Sequence, residues 1–143
     1  SIRELDLNKL VENDYFKHIG ELECFLSNVD ISKKDWVLGL LRNVLESHIR
    51  FKFYRQVSSI PDTQKTFGKL IDTLEDNHVP FRDGQNPSIV IQKLRGINVL
   101  SCKPHHGEAL PDLTSSELNP ESINVRELCD LITDTFDLID NRL

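Results

Sequence analysis

Leu40-Leu41-Arg42-Asn43-Val44-Leu45-Glu46-Ser47-His48-Ile49-Arg50-Phe51-Lys52-Phe53 sets an arginine and a glutamate one helical turn apart beside a long apolar stripe. At 3.6 residues per turn, with Arg42 at zero, Glu46 falls at about 40° and Arg50 at about 80°, while Leu41, Val44, Leu45, Ile49 and Phe51 fall between about 160° and 340°. The period is helical, one face is core and the other is charged. His48, at about 240°, lies in the middle of the apolar face. On a straight helix Arg42 and Glu46 share a site, and His48 joins them only if the helix bends or ends there.

Just upstream, Ser32-Lys33-Lys34-Asp35 resembles a capping box and opens this helix over about 33–56. Upstream, residues 7–28 read as a helix with Leu22, Phe25 and Leu26 apolar and a break near Asn13-Asp14. Downstream, Pro61-Asp62 punctuates the chain before a helix over 62–76 carrying Phe67, Leu70, Ile71 and Leu74 at helical spacing. Asn86-Pro87 suits the cap and first position of a helix over 87–100, although Ile89-Val90-Ile91 and Ile97-Asn98-Val99 are rich in β-branched residues. Residues 102–119, with Pro104, Gly107 and Pro111, read as a long loop. A last helix over 120–141 follows Asn119-Pro120 and stacks Leu128, Leu131, Ile132, Phe136 and Ile139. The expectation is one all-α domain, a bundle of about five helices spanning residues 1–143.

Composition fits that reading. The chain has 143 residues and is 38% hydrophobic, enough for one domain with its own core. No run reaches the 18 or more apolar residues of a membrane span, and the N-terminus lacks a basic stretch followed by an apolar one. Cys24, Cys102 and Cys129 are odd in number and widely spaced, which fits reduced cytoplasmic thiols rather than a disulfide framework. The net charge of −6 is unevenly spread: residues 33–58 carry six basic and two acidic groups (+4), and residues 108–143 carry two and nine (−7). An acidic chain can therefore present a basic surface.

Two features carry chemistry. Arg42 and Glu46 alone amount to an ordinary i,i+4 ion pair. They gain weight from Lys103-Pro104-His105-His106-Gly107-Glu108, where two histidines on a loop are placed for proton transfer near neutral pH. Cys102, His105 and His106 are zinc-ligand types, but a fourth ligand at the usual spacing is missing, so neither a metal nor another cofactor is expected. Phe51, Phe53 and Tyr54, interleaved with Arg50, Lys52 and Arg55, are of the types that stack on single-stranded bases, and equally of the types that end an apolar helix in the core.

The Leu-Arg-x-x-x-Glu helix continued by Ile49-Arg50-Phe51-Lys52-Phe53, the later Asn98 and His105-His106-Gly107 segment, and the closing amphipathic helix resemble, over about 33–141, the C-terminal helical domain of bacterial ATPases of the AAA/ABC type. That group includes the anticodon nucleases, whose nuclease domains are placed in the HEPN superfamily of small helical ribonucleases. The resemblance implies an arginine, a glutamate four positions later and a distal histidine as catalytic residues, falling on Arg42, Glu46 and His105 or His106. The superfamily's looser pattern falls instead on Arg42, Asn43 and His48, and His78 is a third histidine candidate. Asn43, Arg50 and Lys103 would contact substrate. It further implies a metal-independent endoribonuclease of a bacterial toxin or defence system acting on RNA, tRNA among its substrates, with an ATPase domain or subunit as partner and a homodimeric assembly. A non-catalytic module that dimerises or docks such an ATPase is the alternative.

Overall fold

The computed structural model describes residues 2–102 and 123–143, with side chains described from residue 14 onward. Among these residues the chain is all-α: α1 (Ile2–Ser27), α2 (Lys34–Lys52), α3 (Tyr54–Val57), α4 (Phe67–Asp76), α5 (Pro87–Ser101) and α6 (Val125–Asp137), the last continued by a π-turn over Leu138–Arg142.

α2 is the hub. α1, α4, α5 and α6 all pack on it, because Val37, Leu38, Leu40, Leu41, Val44, Leu45 and Ile49 leave little of its circumference polar. α4 contributes Phe67, Leu70, Ile71 and Leu74, and α5 contributes Val90, Ile91, Leu94 and Ile97. In α5 the helical spacing of these four overrides the low helix propensity of their β-branched members. Leu22 and Phe25 of α1 and Leu128 and Ile132 of α6 complete the core. The apolar face of α2 is thus covered from within the chain, so covering it does not require a second copy.

The helix ends follow local hydrogen bonding, and several differ from the sequence expectation. α1 runs unbroken through Asn13-Asp14. Ahead of α2 the capping carboxylate is Asp30, which accepts from the Ser32 N–H at 3.0 Å and the Ser32 hydroxyl at 2.7 Å and starts a 3₁₀ turn. Ser32 is therefore a donor, and α2 starts one turn's bonding later, at Lys34. α2 ends at Lys52, where Phe53 leaves helical geometry and seats its ring edge-on against Phe81 with centroids 5.8 Å apart. Residues 62–64 form a 3₁₀ turn rather than the start of α4, whose cap is Thr66, accepting from the Lys69 N–H at 3.2 Å. Asn86 caps α5 with Pro87 at its first position, as the sequence implies. α6 starts at Val125, after Asn124 accepts from the Glu127 N–H at 2.8 Å.

Candidate active site

The charged stripe of α2 faces the start of α4 and the last turn of α5. Arg42 Nη1 donates to both the backbone carbonyl and the side-chain Oδ1 of Asn98, at 3.3 and 3.0 Å. Its guanidinium carbon lies 5.6 Å from the centre of the Phe67 ring, a cation–π distance. One turn on, Glu46 is half-buried. Burial pushes its carboxyl above the ordinary value, against the pull of Arg42, Arg50 and the Phe67 backbone N–H. That N–H belongs to the first turn of α4, where unpaired N–H groups and the positive end of the helix dipole favour a carboxylate. Another turn on, Arg50 donates to the Lys65 carbonyl at 2.9 Å. The stripe of arginine, glutamate and arginine thus grips the N-terminus of α4, and Arg42 alone reaches α5. Asn43 is exposed beside it.

His48 faces a different neighbour. Its Nδ1 is hydrogen-bonded to the Tyr15 hydroxyl of α1 at 3.1 Å, the two rings stacked with centroids 6.2 Å apart. The straight helix keeps this direction apart from that of Arg42, as the angular arithmetic requires. Nε2 is buried without a hydrogen-bond partner among the described residues. Burial holds the imidazole pKa down at about 4, with Lys52 and Arg82 adding to the depression and Asp140 opposing it. A histidine so placed is neutral at physiological pH and serves as a packed contact between α1 and α2.

His78 is a backbone feature. It follows α4 in the left-handed region at φ 47, with its N–H bonded to the Glu75 carbonyl and that of Val79 bonded to the Leu74 carbonyl. This is the Schellman closure of a helix, with histidine where glycine is usual. Lys103, His105 and His106 lie outside the described residues, so the expected convergence of a loop histidine on Arg42 and Glu46 falls outside them too. Among the described residues no group of three or more His, Cys, Asp or Glu is placed to hold a metal ion, and no helix is long and apolar enough to cross a membrane.

Of the expected set, Arg42 and Glu46 share one face, with Arg50 continuing it, and His48 is directed elsewhere. The partners that sequence reasoning did not assign to the site are Asn98, Phe67 and Tyr15. Asn98 stood in the family pattern. Phe67 and Tyr15 carried no cue, since each meets α2 through tertiary packing. No protein-family model, curated protein or solved structure matches the chain.

Proposed function

We propose that this chain is a HEPN-like, metal-independent ribonuclease domain of a bacterial toxin or defence system. RNA is its substrate, with tRNA among the candidates. An ATPase domain or subunit controls it, and it acts as a cytoplasmic homodimer. The observation that carries this reading is the pairing, on one half-open face of α2, of Arg42 with a glutamate whose proton affinity burial has raised. Cleaving RNA without a metal requires a base for the 2′-hydroxyl proton, an acid for the leaving oxygen and a cation at the phosphate. A carboxyl moved up from its ordinary value is better matched to proton transfer near neutral pH. Among the described residues Arg42 uses only Nη1 in hydrogen bonds, both to Asn98, so Nε and Nη2 are available for the bidentate phosphate contact arginine favours. His105 and His106 supply the remaining proton carrier in this scheme. They stand three and four residues beyond Cys102, within roughly 10–14 Å of extended chain.

The docking-module reading has its own observation: each charged side chain of the stripe also serves the fold, Arg42 through Asn98, Glu46 through the α4 N-terminus and Arg50 through Lys65. The two readings separate in a cleavage assay on total RNA and tRNA with the chain alone and with its ATPase partner. The ribonuclease reading expects cleavage that falls about 10²–10⁴-fold in Glu46→Gln and in His106→Ala. Wild-type protein inactive in both settings decides for the module.

A further inference from the structure

The aromatic and basic residues at the end of α2 separate into two groups. Phe53 is core, locked edge-on to Phe81. Phe51 and Tyr54, on either side of it in sequence, are 47% and 66% exposed, far more than a helix end needs for packing. Lys52 and Arg55, interleaved with them, are exposed as well. The Phe53–Phe81 contact brings Arg82 to the same end of α2, and Arg82 lies close enough to disfavour the charge on Lys52, burial of the lysine being the larger cause. Asp62, in the field of Arg50, accepts from Lys65 Nζ at 3.0 Å, while the exposed Asp140 acts through its charge on Tyr15 and His48. Flat rings open to solvent, set among crowded cations on a chain of net charge −6, match an anionic chain bearing stackable bases.

We infer that Phe51 and Tyr54, with Lys52 and Arg55, form a stacking platform for single-stranded RNA at the junction of α2 and α3. Bases stack on the two rings, and the cations hold the adjoining phosphates. Phe51 stands five residues beyond Glu46 on α2, about 7.5 Å along the helix axis, with Arg50 between them. It lies about 140° around α2 from Glu46, so the platform is a surface apart from the Arg42–Glu46 face. The choice of RNA as the ligand rests on the ribonuclease reading, whereas the platform is a separate surface that can be tested by itself.

The test is fluorescence anisotropy of the full chain with a labelled single-stranded oligoribonucleotide of about 12 nucleotides. Its sugars are 2′-O-methylated, so it cannot be cleaved through the 2′-hydroxyl. Phe51→Ala and Tyr54→Ala should each weaken binding about 5- to 100-fold, the range of one lost base stack, with melting unchanged, and Tyr54→Phe should retain it. The double variant Lys52→Ala/Arg55→Ala should reduce the slope of log affinity against log salt by about 1.4. The platform is overturned if wild type binds no single strand, if it prefers duplex RNA of the same sequence, or if the alanine variants bind like wild type. Light scattering that finds Phe51 and Tyr54 holding two copies together, with no RNA binding, overturns it as well. Binding that depends on these rings, without cleavage of unmodified RNA, leaves the platform standing and removes the ribonuclease reading. Cleavage that is unaltered in both aromatic variants does the reverse.

Discussion

Lowering the pH from 7 to 4.5 should destabilise the fold by about 1.5 kcal/mol through His48 alone, and substituting that residue should remove this part of the acid sensitivity. The imidazole titrates at about 4 in the folded chain against an ordinary 6.5. Between those values the unfolded chain binds a proton that the folded chain refuses, so stability falls as pH falls. Above 6.5 the contribution is fully present, and below about 4 it is gone. A gap of about 2.5 pH units at about 1.36 kcal/mol each sets a ceiling near 3.4 kcal/mol, of which about 2.4 is lost between pH 7 and 4.5, and partial exposure of the ring to screening solvent lowers this to about 1.5. The structural cause is specific. Protonation places a charged N–H at buried Nε2, which has no acceptor among the described residues, within reach of the fields of Lys52 and Arg82. Urea unfolding followed by circular dichroism at intervals from pH 7 to 4.5, in wild type and His48→Gln, gives the difference curve in which the carboxylates common to both cancel. A difference that stays flat across this range, or an NMR titration of the His48 ring centred near 6.5, would rule out a buried, unpaired imidazole as the source of the acid sensitivity.

Arg42→Ala should cost about 2–3 kcal/mol by urea unfolding, since it removes two charge-assisted hydrogen bonds to Asn98 and the contact over Phe67. Arg42→Lys, which keeps the charge, is therefore the better activity probe. Glu46→Gln should be as stable as wild type or more so at pH 7. Because burial raises the folded carboxyl's pKa, wild type gains stability as pH falls through that value toward the unfolded one, and the glutamine variant should lack this gain. His78→Gly should raise stability by about 0.5–1 kcal/mol in thermal melts by relieving the left-handed backbone at φ 47. Leu45→Ala, at a fully buried position of α2, should cost about 2–5 kcal/mol.

What the sequence made legible follows from which forces are local. The 3.6-residue spacing of Leu41, Val44, Leu45 and Ile49 identified the core face of α2, and the same arithmetic separated His48 from Arg42 before any coordinates. Asn86-Pro87 marked the start of α5 because its cap bond is made two residues away, to the Ser88 N–H. Ser32 misled because Asp30 lies two residues earlier and is the stronger acceptor. The start of α6 was misplaced because Asn119-Pro120 looks like a cap, while the Asn124 bond to Glu127 is a plainer one. Distance in sequence hid the rest. Nothing near Arg42 names Asn98, 56 residues away, and nothing near His48 names Tyr15, 33 residues back. The aromatic run at 51–54 is ambiguous by composition alone, and the contact with Phe81 assigns Phe53 to the core.

The hub position of α2 also bears on the order of events in folding. Its partners α1 and α4 are close neighbours in the chain, whereas α5 reaches it from farther along the sequence and α6 from farther still. Contacts of short sequence separation close with little loop entropy and form early. The α1–α2–α4 unit is thus placed to nucleate, with α5 and then α6 docking onto it afterwards. Leu41→Ala should then mainly slow refolding and Ile132→Ala mainly speed unfolding, so kinetic persistence in this molecule is set at its last helix rather than at its most buried one.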